Sequence, residues 1–470
     1  MSENKYRVVP DDSPNMPPGI PYIVGNEAAE RFSFYGMKAI LTIFMTQHLM
    51  NAAGQADVMT DGEAKSAVHF FVMWNYFTPI LGAILADWLW GKYRTILGLS
   101  LFYCAGHLAL ALDETRLGLT VGLTLIAIGS GGIKPCVTAH VGDQFGKKSS
   151  HLLNKVFNWF YFSINLGAFL STLLTPVLLE KAGPAWAFGV PGFLMMIATI
   201  MFWCGRNEFV HIPPKGREFW KEVTAPDAVQ AILKLLPIYI LVSVFWSCFD
   251  QTASAWVLQA TSMEHQLGNL YLFGSKIGSW LPGWLSDVTI LDSQMQAVNP
   301  IMILIFIPLV SRYLYPAIDR FFKLTYLRKI CIGMFLCGVA FTITSLIQKY
   351  IDTHGPNSVH IQIQILPYFV ITLSEVMVSI TCLEFSYTQA PNSIKSLIMS
   401  IYLLSVSLGN FITYLINVLI MREDGSQMLE GADYYWLFTG ITFGAAILLS
   451  LVSLGYREVH YLQGESEVSE

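Results

Sequence analysis

Charge is scarce in this chain. Asp, Glu, Lys and Arg make up 13% of its 470 residues, about half of the ~25% usual in soluble domains. That argues against a soluble globular protein and, with apolar residues so abundant, against disorder. The 28 basic residues nearly offset the 33 acidic ones, leaving a formal charge of −5, which gives no basis for nucleic-acid binding or a polybasic membrane patch. Paired cysteines are lacking too. Cys104, Cys136, Cys204, Cys248, Cys331, Cys337 and Cys382 fall in apolar stretches without CxxC or Cys/His spacing, so neither a disulfide framework nor a zinc site is expected. There is no HExxH cluster and no nucleophile with its base, which argues against an intramembrane enzyme. No catalytic residue, metal ligand or cofactor is assigned. The segment before Pro21 has no apolar signal-peptide core, so the first residues are expected to stay in the cytoplasm. No Asn-x-Ser/Thr acceptor occurs, which favours a bacterial inner membrane.

Long apolar runs are what the sequence has in excess. Hydrophobic residues reach 54% and recur in stretches able to cross ~30 Å of hydrocarbon. The pattern predicts twelve transmembrane helices, over 20–50, 65–90, 94–113, 117–141, 154–180, 184–205, 227–262, 294–317, 326–349, 361–390, 394–421 and 432–456. Most Lys and Arg then lie on one side with both termini, while the outer loops hold only Arg116, Lys181, Lys276, Lys349 and Arg422. This asymmetry predicts a multi-pass plasma-membrane protein with both ends cytoplasmic. LGAILADWLWGKYR after span two and LYPAIDRFFK after span eight set Asp87 and Asp319 at like positions about half a chain apart. The expected organisation is all-α: a cytoplasmic segment 1–19, a six-helix bundle 20–205, a linker 206–226, a second six-helix bundle 227–457 and a tail 458–470. Parallel halves facing each other across a central cavity are the architecture of major facilitator transporters, with substrate at the midplane.

An ionisable side chain at membrane depth costs roughly 3 kcal/mol by insertion scales, so it normally faces a cavity or a partner. In NEAAERFSFYGMKAI of span one, Glu27, Arg31, Tyr35 and Lys38 share one helical face, with Glu30 about 60° aside. Structural ion pairing would account for one such pair; four charges in so short a stretch point to a functional site. Span four carries IGSGGIKPCVTAHVGDQFG. There Gly129, Gly131 and Gly132 permit close helix packing, Pro135 loosens the hydrogen bonding around Lys134, and that ammonium suits a carboxylate of span one or an anionic ligand. Asp250 and Glu375 have no basic residue within a helical turn. Each needs a distant cation or a proton, which makes both candidate binding or proton sites. His69 alone is at least as compatible with helix packing as with proton coupling.

Five segments in this order resemble the proton-dependent oligopeptide transporters of the major facilitator superfamily: Glu27-Ala-Ala-Glu30-Arg31, GSGGIKP with Lys134, FNWFYFSINLGA at 157–168, FxxxDQ around Asp250, and QAVNP with Gln296 and Asn299. The resemblance implies a monomeric symporter of di- and tripeptides, with protons as the coupling ion. It implies that Arg31, Lys38 and Lys134 bind the peptide carboxylate and that Asn165, Asn299 and Glu375 hold its amino terminus. Tyr35 and Tyr76 would contact the peptide backbone, and Trp256 would line side-chain pockets. Glu27, Glu30, His69 and Asp250 would take part in proton coupling, and Asp87 and Lys92 in an inner gate. Some positions depart from the family pattern. Lys38 and Asp250 replace a common Arg and Glu, losing bidentate carboxylate recognition at 38, and Phe34 replaces a frequent Tyr. The linker is too short for two inserted helices, and loop 350–360 for a large outer domain. Nitrate, an organic anion or a drug is the alternative cargo on the same fold, but nitrate would leave Glu375 without an amino group to meet.

Overall fold

The computed structural model describes residues 6–11, 13–272, 275–276, 278–389, 395–422 and 426–456. The expected tail 458–470 lies outside them. Among the described residues, eleven helices are long and apolar enough to cross a bilayer: α2 Asp61–Trp90, α3 Lys92–Leu112, α4 Arg116–Asp143, α5 Ser150–Ala182, α6 Pro184–Asn207, α7 Pro226–Ala253, α8 Asp292–Asp319, α9 Tyr326–His354, α10 Ile361–Thr388, α11 Leu397–Leu419 and α12 Gly431–Gly455. A twelfth, α1, covers Ile20–Ile43. It is too charged to pass as an apolar span, yet its Glu27, Glu30 and Lys38 are buried, so protein rather than lipid surrounds them. The helices run alternately between a terminal face, which carries the N-terminal segment and the linker, and a distal face, which carries the loop Leu49–Thr60 and its counterparts.

Local chemistry sets the helix ends. Thr60 caps α2 by accepting from the Glu63 amide at 3.3 Å, while Glu63 accepts from the Thr60 amide at 2.8 Å, a reciprocal capping box. Buried apolar residues form two large clusters. One runs from Ile20 to Phe209 and the other from Ala228 to Leu449, with Val257 of the second half reaching into the first. Gly82 and Gly132 bring α2 and α4 into backbone contact: a Cβ on Gly82 would sit 2.2 Å from the Gly132 carbonyl oxygen. The close packing expected from the glycines of span four is therefore present, and α4 stays continuous through Pro135.

Span seven departs from the single helix expected over 227–262. The α-helix ends at Phe249, tightens into a 3₁₀ turn over Asp250–Ala253, breaks at Ser254 and resumes over Ala255–Ala260. A break at membrane depth survives only if the freed carbonyls find donors. Thr42 Oγ1 donates to the Ala253 carbonyl at 2.7 Å and Tyr435 OH to that of Ala255 at 2.7 Å. The linker contains a short helix, Arg217–Val223, and the Lys215 amide donates to the Asp87 carbonyl at 2.7 Å. The distal loop after Ala260 carries a small hairpin in which Tyr271 pairs with Lys276.

Candidate functional site

The charged face of α1 meets its partners at two levels. Nearer the terminal face, Arg31 Nε lies 2.6 Å from Glu27 Oε1 and 3.3 Å from Glu30 Oε2. Ser130 Oγ of α4 donates to Glu30 Oε1 at 2.9 Å. Both acids are buried, so the single guanidinium and one hydroxyl carry most of their compensation. Lys134 is not paired with either acid. Its Nζ is buried and, among the described residues, has no hydrogen-bond partner; it lies 3.9 Å from the centroid of Phe34 and 4.5 Å from that of Tyr76. Two aromatic faces attract an ammonium by about 0.5–2 kcal/mol each, less than a carboxylate would offer. The Phe at 34 thus has a physical role here, as a floor under the lysine.

Two turns farther along α1, Lys38 Nζ lies 2.6 Å from Asp250 Oδ1. This is the distant cation that the sequence demanded for Asp250, and among the described residues it is the one ion pair joining the two halves. Asn410 of α11 donates from Nδ2 to Asp250 Oδ2 at 2.7 Å. The other end of that amide, Oδ1, is 2.8 Å from His69 Nδ1, and His69 Nε2 is 2.9 Å from Ser254 Oγ. The broken turn of α7 thus presents both Asp250 and Ser254 to the first half. Other bonds between the halves lie in the same distal part of the bundle: Gln296 Nε2 to the Ala39 carbonyl (3.1 Å), Ser407 Oγ to the Met73 carbonyl (2.8 Å) and Lys65 Nζ to Gln427 Oε1 (2.5 Å).

Below this seal is a cavity of ≈ 250 Å³, lined among others by Tyr35, Lys38, Tyr161 and Asn165 from the first half and by Gln296, Asn299, Tyr368, Glu375 and Ser379 from the second. Asn299 Nδ2 donates to Glu375 Oε2 at 2.7 Å and to Thr372 Oγ1 at 3.1 Å. No cation pairs with Glu375 among the described residues, so an acidic pole faces the cavity across from Lys38. Directly after Glu375 the helix widens into a π turn, Val376–Ile380, a feature frequent at functional sites. Here it lets Glu375, Ser379, Ile380 and Leu383 all reach the lining.

Two assignments change. Trp256 does not line the cavity: it is 1% exposed and packs in the second core between Phe341 and Tyr368, 5.9 and 5.0 Å between ring centroids. Tyr76 touches Lys134 rather than the cavity wall. Lys92 pairs with Asp143 at 2.7 Å, an ion pair between α3 and α4 within the first half. Asn165, Asn299, Tyr35, Lys38 and Glu375 converge on the cavity. His69 and Asp250 meet above it, Glu27, Glu30 and Arg31 form their own cluster, and Lys134 stands alone. Sequence reasoning missed Asn410 and Ser254. Their one signal is a polar side chain inside an apolar span, which many harmless residues share.

Comparison with known proteins identifies the family. The PTR2 family model, described as POT family, matches residues 93–225 and 217–437. The chain belongs to the POT family. It is 35% identical over 406 residues to solute carrier family 15 member 2 of Oryctolagus cuniculus, covering 75% of this chain and 52% of that protein. The chain therefore spans about half the length of the curated relatives it matches. A solved structure described as an auto-inhibited POT family peptide transporter shares 35% identity with a TM-score of 0.82, over 96% of this chain and 99% of that one. A proton dependent oligopeptide (POT) family transporter of known structure shares 35% identity with a TM-score of 0.74, over 92% and 100% of the two chains. The fold is thus that of the POT family: a polytopic, all-α major facilitator protein with twelve membrane helices in two bundles.

Proposed function

We propose that this chain is a proton-coupled symporter that imports di- and tripeptides by alternating access. Its two bundles are the moving bodies, its terminal face is cytoplasmic, it sits in a bacterial inner membrane, and it works as a monomer. The observation that carries this reading is the bipolar cavity, with Lys38 and Tyr35 on one wall and Glu375 with Asn299 on the other. A zwitterionic peptide has one anion and one cation a variable distance apart, so a site that fixes both ends and leaves the rest to apolar walls accepts many sequences. The similar structures named as peptide transporters and as proton dependent support the same cargo and coupling ion.

The cations that would receive the peptide carboxylate are already engaged: Lys38 by Asp250, Arg31 by Glu27 and Glu30. Substrate must compete with these carboxylates, and a proton on one of them frees its cation. That is the coupling: a proton taken up by the protein carboxylate lets the peptide carboxylate replace it on the cation. The peptide amino group meets Glu375, oriented by Asn299, with Asn165 opposite. Lys134 needs no release, since among the described residues no carboxylate holds it, and it draws the anion toward the first half. When Lys38 leaves Asp250 for substrate, the ion pair that closes the distal face is gone. The test is uptake of labelled dialanine into liposomes with an acidic exterior and a negative interior. Accumulation is expected; accumulation of nitrate or free amino acids without dipeptide would overturn the reading.

A further inference from the structure

Asn410 joins two titratable groups that do not touch each other, and the polarity of its amide follows from its neighbours. Asp250 gives Oδ1 to Lys38 and Oδ2 to Asn410. A carboxylate only accepts hydrogen bonds, so the amide must present its NH₂ group there. Its carbonyl oxygen then faces His69 Nδ1 at 2.8 Å. A carbonyl oxygen also only accepts, so Nδ1 must carry the hydrogen. Nε2 is left as the nitrogen that gains or loses a proton, against a Ser254 hydroxyl that can rotate to donate or accept. Gly409 holds the amide at this depth: a Cβ there would lie 2.2 Å from the Ser243 carbonyl oxygen, so α11 is pressed against α7.

We propose that Asn410 is a positioning residue that ties the tautomer of His69 to the charge on Asp250, making a proton on one incompatible with a proton on the other. With Asp250 anionic, His69 is the Nδ1–H tautomer and accepts a proton at Nε2, giving an imidazolium that donates to both Asn410 and Ser254. While Lys38 still holds Oδ1, a proton arriving on Asp250 sits on Oδ2 and needs an acceptor, which the amide supplies only by turning over. Its NH₂ then faces His69 Nδ1, which must be bare, and the ring is held neutral as the Nε2–H tautomer. The amide carries no proton itself; each proton exchanges with water at Nε2 or at Asp250. The charged groups whose fields act on His69 are Asp250, Lys38 and Lys65, and the field of Asp250 also reaches Tyr35, Tyr76 and Glu375. Among the described residues, only Asn410 bonds to both His69 and Asp250.

This inference rests on the proton-coupled reading above, and two readouts separate them. In protein labelled with ¹⁵N-histidine, with the His69 signal assigned by His69→Gln, the neutral ring is expected as Nδ1–H at alkaline pH. In Asn410→Leu it should revert to the Nε2–H form that free imidazole prefers. A wild-type Nε2–H ring overturns the proposal whatever the protein transports. In liposomes, Asn410→Leu should keep peptide counterflow at symmetric pH within about twofold while the midpoint of pH-driven uptake moves about one unit to acid, a tenfold change in proton concentration. Asn410→Asp, of nearly equal volume, gives Nδ1–H a charged acceptor and should move the midpoint to alkaline pH; it carries the test if the leucine variant shows no counterflow. In an Asp250→Asn background Asn410→Leu should add only a smaller shift, because no carboxylate then fixes which end of the amide faces His69. Unchanged pH profiles, or a full shift in that background, overturn the proposal, whereas a wild-type protein that moves no peptide overturns the functional reading instead.

Discussion

Arg31 and Lys38 lie two turns apart on one helix, yet their surroundings are built in opposite ways. Arg31, Glu27, Glu30 and Ser130 all belong to the first half, and three of them come from five consecutive residues. Lys38, Asp250, Asn410, His69 and Ser254 come from α1, α2, α7 and α11 and straddle both halves. The first cluster travels with its half through any relative motion; the second cannot outlive a separation of the halves. The same ion-pair chemistry thus sits in two settings, inside one half in the first case and across both halves in the second.

The sharpest way to break this comparison is to remove one charge from each cluster and watch the distal face. Lys38→Met leaves Asp250 buried without its cation, a loss of about 3–5 kcal/mol for such pairs. The closed distal state should lose a factor of a hundred or more. Nitroxides at Val58 and Met428, exposed on distal loops of the two halves, should report a longer distance in Lys38→Met and an unchanged one in Arg31→Met. Equal behaviour of the two variants would show that the clusters do not differ as described. Next in size is the acidic pole. Glu375→Gln removes the partner of a buried ammonium, about 2 kcal/mol or more, so calorimetry should show roughly thirtyfold weaker dialanine binding and little change for N-acetylated dialanine. Equal loss of both ligands would assign Glu375 to cavity shape alone.

The travelling cluster gives a smaller, kinetic effect. Glu30→Gln keeps the hydrogen bond from Ser130 but drops the second charge on Arg31. Gradient-driven accumulation should fall roughly tenfold or more while counterflow survives; normal accumulation in both Glu27→Gln and Glu30→Gln would remove the cluster from coupling. The smallest effect lies outside the membrane. His265 Nε2 is 2.8 Å from Asp292 Oδ1 and 2.9 Å from the Ala260 carbonyl oxygen, and the carboxylate beside it, outweighing burial, raises the histidine above its ordinary 6.5. A raised value means that the stabilisation is complete below the unfolded value and fades as pH climbs through the folded one. Proteolysis of the 263–291 loop should therefore quicken a few-fold on passing from acid to alkaline conditions, and His265→Gln should abolish the difference.

The spans were legible because a run of apolar residues is a local property, and the travelling cluster because its spacing on one helix says which side chains meet. The latch was only half legible. Lys38 and Asp250 could each be seen to need a partner, but a pairing across 212 positions leaves no trace in spacing. Asn410 is uncharged, so nothing in an apolar run advertises it. The break at Ser254 escaped notice because the hydrogen bonds that make it tolerable come from Thr42 and Tyr435, on other helices. Trp256 packs on Phe341, a partner 85 positions away that leaves no trace in the local sequence.

The contact of Gly82 with Gly132 has a mechanical consequence. Where two helices touch backbone to backbone, no side chain lies between them to change rotamer and absorb a shift, so α2 and α4 cannot slide past each other and act as a single spar. That spar holds His69 at one level and, lower down, both Tyr76 and the Lys134 it supports. A tilt imposed at the distal latch therefore arrives undamped at the unpaired ammonium. An alanine at Gly82 would act on both places at once, although it touches neither.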